Sequence, residues 1–263
     1  MIKPRPYQTE AISHCTSMLG TRGNSLLVAA TGAGKTVMLG KVAEYGVQNL
    51  GCKRVYVIVG RDKINQQNKV TIRKAAPGIA VSEYSGRLKS LHGQIVCMTQ
   101  QTAAKHYRTL PTPDMICVDE GHHVRAATYE EMLNYWRPQY VFGATATPDR
   151  GDKKSLITLF DNFYQIGTRQ LIEMNYLTKP EFYPFECNPD NPADLRAALK
   201  ALPLLPGKTI HFCRNHTQAS QLVEVIQSRG EKCAYLADNR DNEPEYGMFA
   251  QDDDCITRLS SCT

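Results

Sequence analysis

Two short runs of residues carry the groups that chemistry on a phosphate chain would need. The first is residues 29–36, with the sequence AATGAGKT, and the second is the acidic pair Asp119-Glu120. Glycine in a loop lets backbone N–H groups approach phosphate oxygens, a lysine can reach the terminal phosphates, and a threonine hydroxyl can bind Mg²⁺. The residues expected to hold phosphate and Mg²⁺ are therefore Thr31, Gly32, Ala33, Gly34, Lys35 and Thr36.

The acidic pair follows residues 114–118, an apolar run that predicts a buried strand. Carboxylates at the carboxyl end of a parallel strand face the crevice in which ligands bind in open α/β sheets. Asp119 is therefore a candidate Mg²⁺ ligand, and Glu120 is a candidate to orient and polarise the attacking water. Together with Lys35, these carboxylates form the predicted catalytic set for hydrolysis of ATP.

Apolar patterns predict the elements that must position these residues. Strand-like runs lie near residues 25–30, 54–59, 94–98, 115–119, 140–143, 209–213 and 233–236. Helical patterns lie between them at residues 36–49, 64–75 and 216–228. This alternation predicts an α/β fold with a parallel sheet covered by helices on both faces. The polar, proline-containing residues 186–192 are interpreted as a linker between domains 1–185 and 186–263.

Composition narrows the class of protein. The sequence contains no stretch near the roughly 20 apolar residues that span a bilayer, and its first residues lack the apolar segment of a secretory signal. We therefore expect no membrane partner. Nine cysteines without a Cys-x-x-Cys pair indicate reduced thiols in the core of an intracellular, cytoplasmic protein. The net charge of +5 is compatible with a polyanionic partner.

The motifs, taken in order, resemble those of the superfamily 2 helicases and translocases. The resemblance is to the DEAD/DEAH-box branch that includes the motor subunits of type III restriction enzymes. Besides the two runs above, it is carried by residues 5–8 (RPYQ), 57–61 (VIVGR), 96–102 (VCMTQQT), 143–148 (GATATP) and 209–215 (TIHFCRN). It implies a RecA-like P-loop domain followed by a partial second RecA-like domain.

The resemblance also implies roles for residues outside the phosphate loop. In the adenine-recognition motif, Gln8 would read the adenine edge, and Tyr7 would pack nearby beside Arg5. The residues that would contact the nucleic-acid backbone are Gly60, Arg61, Thr99, Gln100 and Arg214. The residues that would couple hydrolysis to nucleic-acid binding are His122, Thr145 and Thr147.

The function implied is an ATP-dependent helicase or translocase that uses ATP and Mg²⁺. Its partner would be nucleic acid, with DNA favoured over RNA, held through phosphates and with little sequence specificity; protein partners are left open. The family's second domain also carries a Gly-Asp motif and an arginine motif, and the residues up to Thr263 contain neither. Impaired turnover is therefore expected, because an arginine finger contributes roughly 10³–10⁵ in rate.

Two other functions remain open at this point. The chain could be a non-motor module that binds nucleotide and nucleic acid with negligible turnover. It could also be a P-loop kinase or GTPase, which is disfavoured because no Asn-Lys-x-Asp motif is present. ATPase rates measured with and without DNA and RNA would separate the three.

Overall fold

Residues 2–60, 62–86, 88–119, 126–147, 160, 162–180, 197, 209–213, 215–236 and 258–262 are described by the computed structural model. The chain separates into two units, Met1–Pro180 and Glu181–Thr263. The linker 186–192 and the boundary after residue 185 that the sequence predicts lie outside the described residues and remain predictions.

The first unit alternates strands with helices. Its strands are β1 (Asn24–Ala29), β2 (Val55–Val59), β3 (Val81–Tyr84), β4 (Ile95–Thr99), β5 (Met115–Asp119), β6 (Tyr140–Thr145) and β7 (Phe163–Ile166). Its described helices are α1 (Pro6–Arg22), α2 (Lys35–Asn49), α3 (Asp62–Ala75), α4 (Gln100–His106), α5 (Ala126–Trp136) and α6 (Thr168–Glu173).

The seven strands form one sheet in the order β3-β4-β2-β5-β6-β1-β7. Every strand pairing in it is parallel. In the register of the sheet, Val59 lies opposite Thr99, Asp119 opposite Ala144, and Thr145 opposite Val28. Because the strands all run in one direction, their carboxyl ends meet at the same edge, where the loops that follow them can form a common site.

Both faces of this sheet are buried, which explains the continuous apolar runs in the sequence. Successive side chains of a strand point to opposite faces. In β2, Val57 belongs to the hydrophobic cluster that contains residues of α1 and α2 on one face, and Tyr56 belongs to the cluster that contains Met132 and Trp136 of α5 on the other. The α/β fold with helices on both faces, expected from the sequence, is confirmed.

The strands expected from the apolar runs are present, whereas β3, β7 and the helix α1 were not predicted. The outer strands β3 and β7 have the sequences VSEY and FYQI, in which polar residues interrupt the apolar pattern. An edge strand is paired on one side only, so it does not need a continuous apolar sequence. The buried side of α1 contains small and polar residues such as Ala11 and Thr16, which weaken its helical pattern.

The second unit contains a smaller parallel sheet. Its described elements are β8 (Thr209–Cys213), α7 (His216–Ser228), β9 (Cys233–Leu236) and β10 (Arg258–Cys262), with strand order β8-β10-β9. The helix α7 begins where the Asn215 side chain accepts a hydrogen bond from the Gln218 N–H at 2.9 Å. The strand β10 was not predicted, because its sequence RLSSC is mostly polar.

Six cysteines in the described part of the chain, Cys15, Cys52, Cys97, Cys117, Cys213 and Cys233, are free thiols, and all of these except Cys213 are buried. Burial raises the pKa of Cys15 and Cys52 to about 11 and that of Cys97 to about 12. These residues therefore act as small core side chains, as the sequence predicts. Within the described part of the chain, no helix is long and apolar enough to cross a membrane.

One close packing contact holds α3 against α2. A Cβ atom at Gly40 would lie 2.9 Å from the Cβ of Ala75 and 3.4 Å from the Cα of Ile72. Both neighbours are fully buried. The glycine is therefore required by the distance between the two helices.

We expect Gly40→Ala to lower the free energy of unfolding by about 1–3 kcal/mol relative to Gly20→Ala, measured by urea denaturation. Both glycines are helical, so both variants gain helix propensity, but a Cβ at Gly20 meets nothing within 4 Å. The difference isolates the overpacking between α2 and α3. Equal stability of the two variants would contradict this packing.

Candidate functional site

The loop between β1 and α2 has a backbone that suits an anion. Gly32 and Gly34 adopt φ angles of 84° and 76°, in the left-handed region that favours glycine. A Cβ at Gly34 would also lie 2.5 Å from Gln8 Nε2. Among the described residues, the N–H groups of Gly32, Gly34 and Thr36 donate to no backbone carbonyl. Such donors in a loop before a helix are suited to phosphate oxygens.

The helix α1 holds this loop in place through one carbonyl. The Tyr7 hydroxyl and Gln8 Nε2 both donate to the Ala33 carbonyl oxygen at 2.9 Å, and Gln8 Oε1 accepts from the Arg5 N–H at 2.9 Å. The side chains of Tyr7 and Gln8 are buried, with 4% and 5% exposure. The structure therefore brings two residues predicted to recognise adenine, Tyr7 and Gln8, against the loop predicted to bind phosphate.

An aromatic residue without a role assigned from the sequence completes this group. The Tyr176 ring packs at 4.7 Å from the Tyr7 ring, measured between centroids. The Arg5 guanidinium carbon lies 5.3 Å from the centroid of the Tyr176 ring. Tyr176 thus connects the segment after α6 to the start of α1.

Lys35 is the first residue of α2 and lies at the carboxyl end of β1. Its Nζ donates to the Ala29 carbonyl oxygen at 3.4 Å, a long hydrogen bond. The side chain is partly exposed, and Thr31 and Gly32 of the preceding loop are exposed. A cation in this position can meet an anion that binds at the loop.

The two predicted Mg²⁺ ligands are linked by a residue that the sequence analysis did not identify. The Thr36 hydroxyl donates to Asn68 Oδ1 at 3.2 Å, and Asn68 Nδ2 donates to Asp119 Oδ2 at 2.7 Å. Asn68 and Asp119 are each 6% exposed. The signal that could have found Asn68 is its position in α3, four residues before the buried Ile72 on the same helix face.

The donor atoms at this point fit Mg²⁺. A threonine hydroxyl and a carboxylate are hard oxygen ligands, and Mg²⁺ is usually bound by one or two carboxylates together with phosphate oxygens and water. Within the described residues, no group of three or more His, Cys, Asp and Glu side chains could hold a metal ion by itself. Thr36 and Asp119 therefore suit a metal that arrives with a phosphate chain.

The loop after β6 is ordered by the two threonines predicted to couple hydrolysis to nucleic-acid binding. The Thr145 hydroxyl donates to the Thr147 carbonyl oxygen at 3.1 Å and accepts from the Thr147 N–H at 3.2 Å. Thr145 is fully buried and Thr147 is exposed. Because Ala144 pairs with Asp119, this loop begins beside the acidic end of β5.

Polar and basic residues surround a cavity of about 280 Å³ near the carboxyl end of β4. Thr99 caps α4, because its hydroxyl accepts from the Thr102 N–H at 3.2 Å. Gln100 begins α4, and Gly60 directly follows β2, the neighbouring strand. The cavity is lined by Ser85, Lys89, Thr99, Gln101, Thr102 and Lys105, among others.

Four of the predicted site residues cannot be placed. Glu120, His122, Arg61 and Arg214 lie outside the described residues, so their roles remain predictions.

Comparison with known proteins identifies the family. A model of the family described as type III restriction enzyme, res subunit, matches residues 1–150. The chain is also 27% identical over 198 residues to IRC3 of Saccharomyces cerevisiae, which is named as a proposed ATP-dependent helicase. That match covers 68% of this chain and 28% of IRC3. The chain spans about a quarter of the length of the curated relatives it matches.

Solved structures share the fold. LlaBIII, an ATP-dependent Type ISP restriction-modification enzyme bound to DNA, has a TM-score of 0.69 and 14% identity, covering 100% of this chain and 24% of that chain. Dbp5 of Saccharomyces cerevisiae, bound to RNA and ADP BeF3, has a TM-score of 0.61 and 13% identity, covering 96% and 69%. These likenesses confirm the RecA-like α/β fold.

The order of the motifs, the fold and the match to the family model agree. Because that match covers more than half of the chain, the protein belongs to the type III restriction enzyme res-subunit family, within the superfamily 2 helicases.

Proposed function

We propose that this chain is the nucleotide-binding part of an ATP-dependent helicase or translocase that moves on nucleic acid. The observation that carries the proposal is the position of the phosphate loop. This loop ends where α2 begins, close to Thr36. The Thr36 hydroxyl is connected through Asn68 to the Asp119 carboxylate. A phosphate-binding backbone and two Mg²⁺-binding oxygens on neighbouring elements suit ATP better than an anion alone.

In this proposal, the chain's own residues hold the reacting phosphates. The N–H groups of Gly32, Gly34 and Thr36 bind phosphate oxygens, and Lys35 pairs with the terminal phosphates. Thr36 and Asp119 would hold Mg²⁺, which neutralises charge on the phosphate oxygens. The side chain proposed to orient and polarise the attacking water is Glu120. The residues proposed to bind the adenine end of ATP are Arg5, Tyr7 and Gln8.

The nucleic acid is proposed to cross the carboxyl ends of β2 and β4. Gly60, Arg61, Thr99 and Gln100 would contact its backbone, with a further contact from Arg214 in the second unit. Lys89 and Lys105 are exposed at the cavity beside Thr99 and add positive charge there. Contacts of this kind bind phosphate and carry little sequence information. DNA is the proposed substrate, with RNA as the alternative for the same groove.

Coupling between the two sites is proposed to pass through the edge of the sheet. Thr145 ends β6 and Thr147 follows it, and β6 lies between β5, which ends in Asp119, and β1, which precedes the loop before α2. His122 follows Asp119 in the sequence. Hydrolysis of the bound nucleotide would thus be transmitted to the loop after β6 through adjacent strands.

Replacing Lys35 tests the phosphate site. We expect Lys35→Ala to weaken binding of a fluorescent ATP analogue with Mg²⁺ by at least about 10-fold, because a charge-assisted contact of about 1.5–3 kcal/mol is lost. The thermal midpoint should change little. Lys41→Ala is the matched control, because Lys41 is on the same helix and pairs with Glu44 at 2.7 Å. Equal affinity of both variants and the parent would refute the site.

Replacing two lysines tests the nucleic-acid groove. We expect Lys89→Ala/Lys105→Ala to reduce the slope of log affinity against log salt by about 1.4 for single-stranded DNA, because two phosphate contacts are lost. The control variant Lys53→Ala/Lys74→Ala removes the same charge from two other exposed lysines. Lys53 lies just before β2, and Lys74 lies at the end of α3. The control should keep the parent slope. An identical reduction in both double variants would indicate a net-charge effect instead of a groove.

A further inference from the structure

The amide of Asn68 contacts both candidate Mg²⁺ ligands at once. Its oxygen accepts from the Thr36 hydroxyl at 3.2 Å, and its nitrogen donates to Asp119 Oδ2 at 2.7 Å. Asn68 is buried, so these groups have little access to water as an alternative partner. A buried amide that satisfies two partners from two other elements restricts the orientation of both.

The direction of these hydrogen bonds matters for a metal. Because the Thr36 hydroxyl donates its hydrogen to Asn68, the lone pairs of its oxygen remain for a cation. Because Asn68 Nδ2 donates to Oδ2 of Asp119, the orientation of that carboxylate is restrained. Hydrogen bonds from neighbouring residues that orient metal ligands in this way typically change metal affinity by about 10–100-fold.

The helix α3 that carries Asn68 is fixed on two sides. Toward α2, Gly40 permits the close approach to Ala75 described above. Toward the sheet edge, Lys69 Nζ lies 2.5 Å from Glu83 Oε2, and Arg73 donates to the Val81 carbonyl at 2.9 Å. Although burial raises the pKa of Glu83, hydrogen bonds from Lys69 and Ser85 outweigh it, and the pKa lies below its usual value. The contact between Lys69 of α3 and Glu83 of β3 is therefore an ion pair.

We propose that Asn68 is a positioning residue that prepares Thr36 and Asp119 to bind Mg²⁺ together with the nucleotide. The inference rests on the proposed function, because it concerns the same metal site. Nucleotide binding then has a part that does not depend on Mg²⁺ and a part that does. The backbone N–H groups and Lys35 bind the phosphates with or without metal, whereas Asn68 contributes only when Mg²⁺ is present.

The test measures affinity for a fluorescent ATP analogue twice, in MgCl₂ and in EDTA. We expect Asn68→Ala to weaken binding in MgCl₂ by about 10–100-fold and to leave binding in EDTA within about 2-fold of the parent. The matched control is Asn134→Ala, which removes the same side chain from an exposed position on α5. A purely structural role for Asn68 would lower both affinities together.

A second variant guards against loss of the fold. Asn68→Gln keeps a buried amide but extends it by one methylene, so the thermal midpoint should fall less than in Asn68→Ala while the benefit from Mg²⁺ is still reduced. If either variant folds and keeps the parent's ratio of affinity in MgCl₂ to affinity in EDTA, the role of Asn68 is overturned but the proposed metal site is not. A parent chain that gains no affinity from Mg²⁺ would overturn the proposed metal site and this inference together.

Discussion

The parallel direction of the strands is the constraint on which the site depends. In a parallel sheet every strand delivers its last residue to the same edge. Here that edge collects the ends of β1, β2, β4, β5 and β6, and so brings residues distant in the sequence to one surface. The apolar strand residues that pack on both faces of the sheet therefore also determine where Lys35, Asp119 and Thr145 lie.

Buried polar contacts then fix the loops at that edge. A buried polar group without a partner costs about 1–3 kcal/mol, so loops that carry such groups are held where partners exist. The Ala33 carbonyl receives two donors from α1, and Asp119 receives the amide of Asn68. Gly34 permits the close approach of Gln8 that the first of these contacts requires, because a Cβ there would lie 2.5 Å from Gln8 Nε2. The phosphate loop is thereby shaped by α1 before any ligand binds.

Much of the fold was predictable because burial leaves a strong pattern in the sequence. Val55–Val59 and Met115–Asp119 are apolar along their length, and such runs can be recognised without a structure. The edge strands β3 and β7 were not predictable, because pairing on one side allows polar residues. In the candidate site, the loop before α2 was predicted to bind phosphate because of its glycines, lysine and threonine, and that role stays a prediction.

Asn68 and Tyr176 were not assigned roles from the sequence, since their contacts depend on how distant elements pack. Asn68 lies 32 residues from Thr36 and 51 from Asp119 in the chain. Tyr176 meets Tyr7 only because the segment after α6 returns to the start of α1. Such contacts leave no local pattern, apart from a polar residue on an otherwise buried helix face.

The central claim is that the loop before α2 binds the phosphates of a nucleotide through its backbone. Amide hydrogen exchange of the parent chain, with and without saturating ADP and Mg²⁺, tests it most directly. The N–H groups of Gly32, Gly34 and Thr36 donate to no backbone carbonyl in the described structure, so they should exchange readily without ligand and slow markedly when it binds. Unchanged exchange in residues 30–36 while nucleotide is bound would contradict the account.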